Sequence, residues 1–555
     1  MRLLPVVSAA LLIAALLGGC QSTPANYRDL AARLAAGEEV DPGRLREAFL
    51  AADDLPARME RLTELEEQAL AIVEDEPLKL GSIGSAILDT YYGSLTGHYV
   101  LARFYRHVEA PDAAEPHEAW VAAIQADMER QGDGSHERPM PAVTAVEARM
   151  YAVSKGWSPV GAIYQTSEAQ PFSLLLQARP PEGPIRNLHF DLTGLYDSMR
   201  QSLETPGDHA EATAHDFNPL TLIGFLARQN DTAAQTAVGA YLARENRIED
   251  AINWLRSASR TGNLLANSIL ASIYWDEARS TDDEATRTAA MNEVMENYLH
   301  AIALGSADAM YTLGVLYLNG HYGEDNVASG VPLLKQAAEQ GHADALMYLA
   351  HLHYAGEVVP RDLDAARGYY VRASELGSPF ARRSYARFLL DREAGQAGDA
   401  RALKWLEELA QDDDAESMVL LGNLYARGVG TPRSTSRAVR WYKRAVKVAP
   451  DDANVVNEVA WTLAVTDAAD LRRASYARNI MDRLMNVNDD ARQRPEYLDT
   501  WAAAHAASGD FERAVVLQEQ ALSAARRLEL EDVLEVLEQH LEDFRARRAV
   551  TELVP

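Results

Sequence analysis

The sequence predicts a mainly α protein, an α-α superhelical solenoid of helix hairpins preceded by a small α+β domain. Three observations predict it. Residues 307–450 repeat one pattern of bulky and small residues four times at a 36-residue step. Residues 171–183 and 185–194 read as strands, the second alternating Leu188, Phe190 and Leu192 with Asn187, His189 and Asp191, after a stretch patterned for helices. The length, 555 residues, is too great for one compact core and natural for a repeat array joined to a second domain.

The repeat comes first because its register is strict. Leu313-Gly314 returns as Leu349-Ala350, Tyr385-Ala386 and Leu421-Gly422, and beyond each pair stands Tyr317, His353, Leu389 or Tyr425. The second half keeps the same step through Leu333-Leu334, Tyr369-Tyr370, Trp405-Leu406 and Trp441-Tyr442, then Ala337, Ala373, Leu409 and Ala445. A small residue lets a partner helix approach, and a large one a turn away fills the space beside it.

The strings ADAMYTLGVLYLNG (307–320) and ADALMYLAHLHYAG (343–356) resemble the Sel-one-like repeat (SLR), a relative of the tetratricopeptide repeat (TPR) with a longer hairpin. That resemblance implies a surface for protein partners. In TPR-like hairpins the first helix of each pair lines the concave side, at positions three before and one after the small residue. Those positions are Tyr311, Val315, Met347, His351, Arg383, Arg387, Val419 and Asn423. An apolar-aromatic entry followed by two arginines and an amide suits an extended segment carrying an acidic group, since arginine offers a planar fork to a carboxylate. Equally, the arginines balance a very acidic surface.

The remaining elements follow from the N-terminus. Residues 1–19 have a short positive start at Arg2 and then an apolar run, which is the pattern of a signal peptide. The run is too short for a stable membrane span. Leu17-Gly18-Gly19-Cys20 resembles the lipobox of bacterial lipoproteins, which implies lipidation at Cys20 and anchoring by acyl chains. Gln21, rather than Asp, implies the outer membrane by resemblance to sorting rules in enteric bacteria. Cys20 is the only cysteine, which excludes a disulfide framework. Residues 20–26 form a polar tether.

Residues 27–204 are expected to form the α+β domain. Met59, Leu62, Leu65, Ala69, Ile72 and Val73 make a stripe at helical spacing, and 117–128 makes another. Beyond Gly132-Asp133-Gly134, residues 171–183 and 185–194 read as two strands joined by a hairpin, while 142–153 fits a strand or a helix equally. The ordered strings GDG, AVEARMY, YQTSEAQPF and FDLTG resemble an uncharacterised domain of bacterial secreted proteins and lipoproteins. Residues 205–218 read as a polar linker. His209 and His215 with Asp208 and Asp216 have no fold there to converge them on a metal.

Residues 219–527 carry the SLR/TPR-like array. A hairpin at 235–263 is followed by a 43-residue unit at 264–306, whose excess is expected as a longer acidic loop at 276–287. After the regular copies come a looser unit at 453–490 and a TPR-like unit at 495–527. Residues 528–555 supply a terminal helix, with Leu530, Leu534, Leu537, Leu541 and Phe544 on one face and charges elsewhere, to cover the end of the array.

Net charge is −29 with pI near 4.9 and no basic patch, which argues against a nucleic-acid partner. No phosphate-binding loop, metalloprotease motif, serine elbow or cysteine site is present. His351 and His353 point about 200° apart on a helix and cannot share a metal. Asp133 in its Gly-Asp-Gly triplet reads as a turn. The expectation is therefore a non-enzymatic scaffold without cofactor or metal, held by lipid at the outer membrane and facing the periplasm. It would bind protein partners of the cell envelope through its groove, as SLR lipoproteins of envelope assembly and polysaccharide export do. The alternative is a ligand-binding or enzymatic lipoprotein acting through residues 27–204, near Asp133 and Asp191.

Overall fold

The computed structural model describes residues 26–204, 218–391, 393–394 and 398–553. The signal segment, Cys20 and the linker residues Asp208, His209, His215 and Asp216 lie outside the described residues. No helix among the described residues is long and apolar enough to cross a membrane. The chain divides into two compact units, Met1–Leu313 and Gly314–Pro555.

The first unit opens with six helices: α1 (Tyr27–Ala35), α2 (Pro42–Leu50), α3 (Leu55–Ile72), α4 (Leu80–Thr90), α5 (Leu95–His107) and α6 (Pro111–Gln131). Then come β1 (Met140–Pro141), α7 (Ala145–Ser154), β2 (Ser158–Gln165), β3 (Ser173–Arg179), β4 (Arg186–Asp191) and α8 (Thr193–Glu204). The sheet order is β1-β4-β3-β2, antiparallel except for the β1–β4 pair. The hairpin expected at 171–194 is β3–β4, in register from Ser173↔Asp191 to Ala178↔Arg186. β2 escaped the sequence reading because Pro159 and Gly161 interrupt its alternation, and the pairing register shifts between them. The ambiguous stretch 142–153 is mostly helix α7, started by the Thr144 hydroxyl, which accepts the Glu147 amide at 2.9 Å.

Helical hairpins complete this unit: α9 (Pro219–Arg228), α10 (Thr232–Arg244), α11 (Ile248–Arg260), α12 (Leu264–Ser280), α13 (Glu284–Ala303) and α14 (Ala307–Leu318), which straddles the division. The residues either side of the 205–218 segment share one core. Phe172, Leu174 and Phe190 of the sheet cluster with Leu222, Ile223, Ala233 and Ala237 of the first helices. Asn263 joins them further, donating to Ala162 O at 2.7 Å. The long acidic loop expected at 276–287 is not there. α12 and α13 are each extended instead, because Asp283 caps α13 by accepting the Thr286 amide at 2.8 Å and Arg287 donates back to Thr281 O.

The second unit continues with α15 (Gly330–Glu339), α16 (Ala343–Ala355), α17 (Leu363–Glu375), α18 (Pro379–Leu390), α19 (Ala400–Gln411) and α20 (Ala415–Arg427). It ends with α21 (Thr435–Val448), α22 (Ala453–Val465), α23 (Ala474–Val487), α24 (Pro495–Ala507), α25 (Phe511–Arg527) and α26 (Glu531–Arg545). The small positions lie where helices meet. A Cβ on Gly422 would stand 2.2 Å from the Tyr442 ring, and Ala350 and Ala386 are fully buried. Two copies also share a stop signal. Gly356 and Gly428 take the left-handed conformation that ends α16 and α20, and Arg361 and Arg433 then reach Glu393 and Asp470 a repeat away. Arg372 and Arg444 donate to Ala338 O and Ala410 O, tying the last turn of each preceding second helix. α26 buries Leu537, Leu541 and Phe544 as expected of a terminal helix. Leu530, expected on that covering face, is instead the exposed residue at the start of the helix, and Val533 and Val536 leave the outer surface not wholly polar.

Candidate partner-binding site

In the second unit α18, α20, α22 and α24 contact one another in sequence, so first helices form a row. The first four expected groove residues lie on earlier first helices, α14 and α16. Tyr311 and Val315 are half-buried on α14, Met347 is half-buried on α16, and His351 is exposed. His353 stacks on Tyr369 at 5.6 Å, in the packing role its register implied.

The two arginines of α18 already have partners. The Arg383 guanidinium lies 2.7 Å from Asp414 and 2.8 Å from Glu416, and Arg387 also pairs with Glu416. Asp414 and Glu416 stand at the start of α20, where the helix dipole favours them. An acidic ligand at these arginines would have to compete with both carboxylates.

Val419 and Asn423 do not lie on an open groove, contrary to the sequence expectation. Val419 is 1% and Asn423 5% exposed, because α22 closes against α20. Asn423 donates to Glu458 of α22 at 3.1 Å and accepts the Tyr442 hydroxyl at 2.7 Å, so its amide is a structural bridge. The signal for this was in α22 itself. Val455, Val456, Val459, Ala460, Leu463 and Val465 leave that helix apolar nearly all round, which marks burial on more than one side.

A second group is assembled from distant segments of the chain. On α22 the half-buried Trp461 donates its indole Nε1–H to Glu552 Oε2 at 2.9 Å, and its ring centroid lies 5.8 Å from that of His540. His540 Nδ1 sits 2.9 Å from Asp499 Oδ1. Burial opposes protonation of His540, but the Asp499 carboxylate, with Glu552 and Asp543 beyond it, outweighs burial and raises its pKa. Periodicity cannot reveal this group, since its members come from four different segments.

In the first unit the carboxylates of the alternative reading are used locally. Asp133 is exposed and accepts the Ser135 amide at 3.0 Å, while Asp191 accepts the Thr193 amide at 2.9 Å at the start of α8. The buried titratable groups lie elsewhere. Glu66 accepts Ser94 Oγ at 2.9 Å and Thr144 Oγ1 at 2.5 Å, bridging the residues that cap α5 and α7. Burial, with the nearby Glu147 carboxylate, pushes Glu66 up to about 7. Glu147 accepts the amides of Val143 at 2.7 Å and Leu95 at 3.4 Å, and burial raises its pKa too.

His98 stacks on Trp120 at 5.1 Å. Its Nε2 faces Tyr92 O at 2.9 Å and must carry the proton, so its Nδ1 accepts from His117 Nδ1 at 3.0 Å. Burial, then the His117 charge, lowers His98 to about 3. A cavity of about 660 Å³ lined by Glu74, Tyr99, Arg103, Arg106 and Glu118, and another of about 290 Å³ lined by Arg149, Thr232, Thr261 and Asn263, include none of Glu66, Glu147 and His98. Among the described residues no cluster could hold a metal ion.

Successive antiparallel hairpins in constant register define a helical-repeat protein, a class whose folds mediate protein–protein interaction. More particularly, the chain carries Sel1 repeats: the family described as Sel1 repeat matches residues 307–342, 343–378 and 415–447. The chain is similar to an uncharacterised protein of Neisseria meningitidis, 25% identical over 41% of this chain and 47% of that one. It is also similar to the Sel1-repeat-containing protein YjcO of Escherichia coli, 27% identical over 28% of this chain and 67% of that one. An exopolysaccharide production negative regulator of Rhizobium meliloti is 26% identical over 37% of this chain and 81% of its own length. The matched region therefore spans about half of the Neisseria protein and two-thirds of the Escherichia one. Among solved structures, the protective antigen of uropathogenic Escherichia coli that displays an SLR fold matches 89% of this chain and 98% of its own at 15% identity, with a TM-score of 0.39. A Sel1 repeat protein from Oxalobacter formigenes matches 45% and 99% at 23% identity, with a TM-score of 0.33.

Proposed function

We propose that this chain is a non-enzymatic scaffold, anchored to the outer membrane through lipid on Cys20 and facing the periplasm, whose repeats bind protein partners in an envelope assembly or polysaccharide-export complex. The observation that carries the reading is the row of first helices in a chain bearing Sel1 repeats. The lipobox Leu17-Gly18-Gly19-Cys20 supports the anchor, and the likeness to an exopolysaccharide production regulator supports the pathway. Val315, Met347 and His351 are the part of the proposed groove that stays at least partly exposed and bears no ion pair. The enzymatic alternative loses its footing in Asp133 and Asp191, which close turns.

Crosslinking in cells, followed by identification of the captured chains, tests the scaffold. Enrichment of one envelope complex is expected, and turnover of a small molecule by this protein would overturn the reading. The Cys20→Ser variant tests the anchor. It should incorporate no labelled fatty acid and leave the membrane fraction, and continued labelling would sink the lipid assignment.

A further inference from the structure

The residues that follow α26 return to α22. At Thr466 the chain leaves that helix with φ −54° and ψ 135°, an extended geometry, and Glu552 pairs with it in parallel. Glu552 N–H donates to Val465 O at 2.7 Å, and Asp467 N–H donates to Glu552 O at 2.8 Å. Residues two apart on an extended segment share a face. Accordingly Val550 packs on the core of the second unit and Glu552 meets the Trp461 indole, while Thr551 and Leu553 are exposed.

This segment is held as a bound peptide is held. The backbone pairing is indifferent to sequence, and selectivity rests on alternate side chains. One is an apolar residue against the core; the other is a carboxylate facing an indole donor beside the His540–Asp499 pair. Trp461 without its carboxylate would be a part-exposed indole with an unused donor, the kind of side chain that dominates binding energy at interfaces. The attachment is also slight. Residues 551–553 are exposed, Leu553 to 59%, and such poorly buried segments open far below the global unfolding energy.

We propose that the end of α22, with Trp461, Val465, Thr466 and Asp467, is a docking site for an extended partner segment carrying a β-branched residue two positions before a glutamate, and that residues 550–553 occupy it as an internal competitor. The proposal rests on the scaffold reading, and it moves the acidic recognition expected at Arg383 and Arg387 to the indole of Trp461. A partner that adds contacts beyond these four residues displaces the internal segment. The short connection from α26 gives that segment a high effective concentration, so isolated short peptides bind the intact chain weakly.

The test uses a fluorescently labelled peptide with the sequence of residues 549–555, the intact chain, and a chain ending at Arg548. The peptide is expected to bind the shortened chain, and to bind the intact chain at least about 10-fold more weakly because the tethered segment competes. Trp461→Phe in the shortened chain keeps the ring but removes the donor and should weaken binding; the same peptide with lysine for glutamate should not compete. Equal affinity for both chains overturns the proposal, as does no binding to a shortened chain that melts like the parent. If the shortened chain does not fold, amide exchange in the intact chain decides. Exchange at Glu552 and Asp467 at least about 100-fold faster than in α24 supports a displaceable segment, and protection equal to α24 overturns it. Labelled tails that exchange between copies in a dimer would make the occupant a second copy and overturn the partner assignment. None of these readouts uses a captured partner, so a failed crosslinking experiment and a failed docking site remain distinguishable.

Discussion

The two units of this chain have different interiors. The first buries Arg46, Glu66, Asp127, Glu147 and His98 among its helices, each with a hydrogen-bonding partner. The second packs a long run of alanine, leucine, valine and tyrosine from Ala350 to Phe544, and its buried ionisable pair, Asp499 with His540, lies near the C-terminal end of that run. The difference teaches what each fold is sensitive to. An interior of paired polar groups is specified by protonation and hydrogen-bond geometry, because an orphaned charge there is costly. A repeating apolar interior is specified by volume, copy after copy.

The largest effect should come from breaking a polar pair in the first unit. Asp127 accepts Arg46 at 2.8 Å, with side chains only 2% and 9% exposed. Asp127→Ala leaves that guanidinium buried without its carboxylate and should cost about 3–5 kcal/mol, measured by denaturant unfolding. A loss within about 0.5 kcal/mol would mean that the pair is no more than a surface contact. The matching test in the second unit is volume. Ala350→Trp at a fully buried small position should cost at least about 1–3 kcal/mol, with faster amide exchange in adjacent hairpins. An unchanged melting curve would refute the register.

That register is what the sequence displays best, since a 36-residue step needs only the order of large and small residues. What it hides is any feature built between distant segments. Glu66 and Thr144 are 78 positions apart, and no local pattern brings that carboxylate to two helix starts. The acidic run around Asp282 looked like a loop because charge and polarity mimic one, yet Asp283 is the cap that lets α13 begin early. The groove failed at Val419 and Asn423 for a similar reason. Register fixes which way a residue points on its own helix, whereas burial depends on how closely the next hairpin follows.

A third test sets histidine against histidine. In the first unit His98 is lowered to about 3 by burial, so its folded pKa lies below the unfolded value near 6.5. The folded state then binds fewer protons in that window, and the contribution present above pH 6.5 is lost on acidification. Glu66 runs the other way. Raised to about 7, it gives stability that is full below about 4.5 and lost as pH rises through 7. Between these limits the two oppose each other. Relative to the parent, His98→Gln should therefore tilt the profile toward greater stability as pH falls from 7.5 to about 5, and Glu66→Gln should tilt it the other way. In the second unit His540 is raised by Asp499 against burial, so its contribution is present below its unfolded value and lost as pH rises through the folded one. Unfolding midpoints of the parent, His98→Gln, Glu66→Gln and His540→Gln across this range check the signs, and parallel profiles would erase the contrast.

The smallest effect belongs at Arg383 and Arg387. Their ion pairs are part-exposed, with Arg383 18% and Arg387 48% open to solvent, so water and salt screen them. The carboxylates left behind are not stranded. Asp414 caps α20 by accepting the Ser417 amide at 2.6 Å, and Glu416 lies in the first turn, where the helix dipole continues to favour it. Arg383→Ala with Arg387→Ala should thus cost only about 0–1 kcal/mol in thermal unfolding. Because both guanidiniums are already held by this chain's own carboxylates, partner capture by the double variant should stay within about two-fold of the parent, less than half of one 1.4 kcal/mol decade. A sharp fall in capture with an unchanged melting curve would show that a partner carboxylate displaces Asp414 and Glu416, and would return these arginines to the binding face.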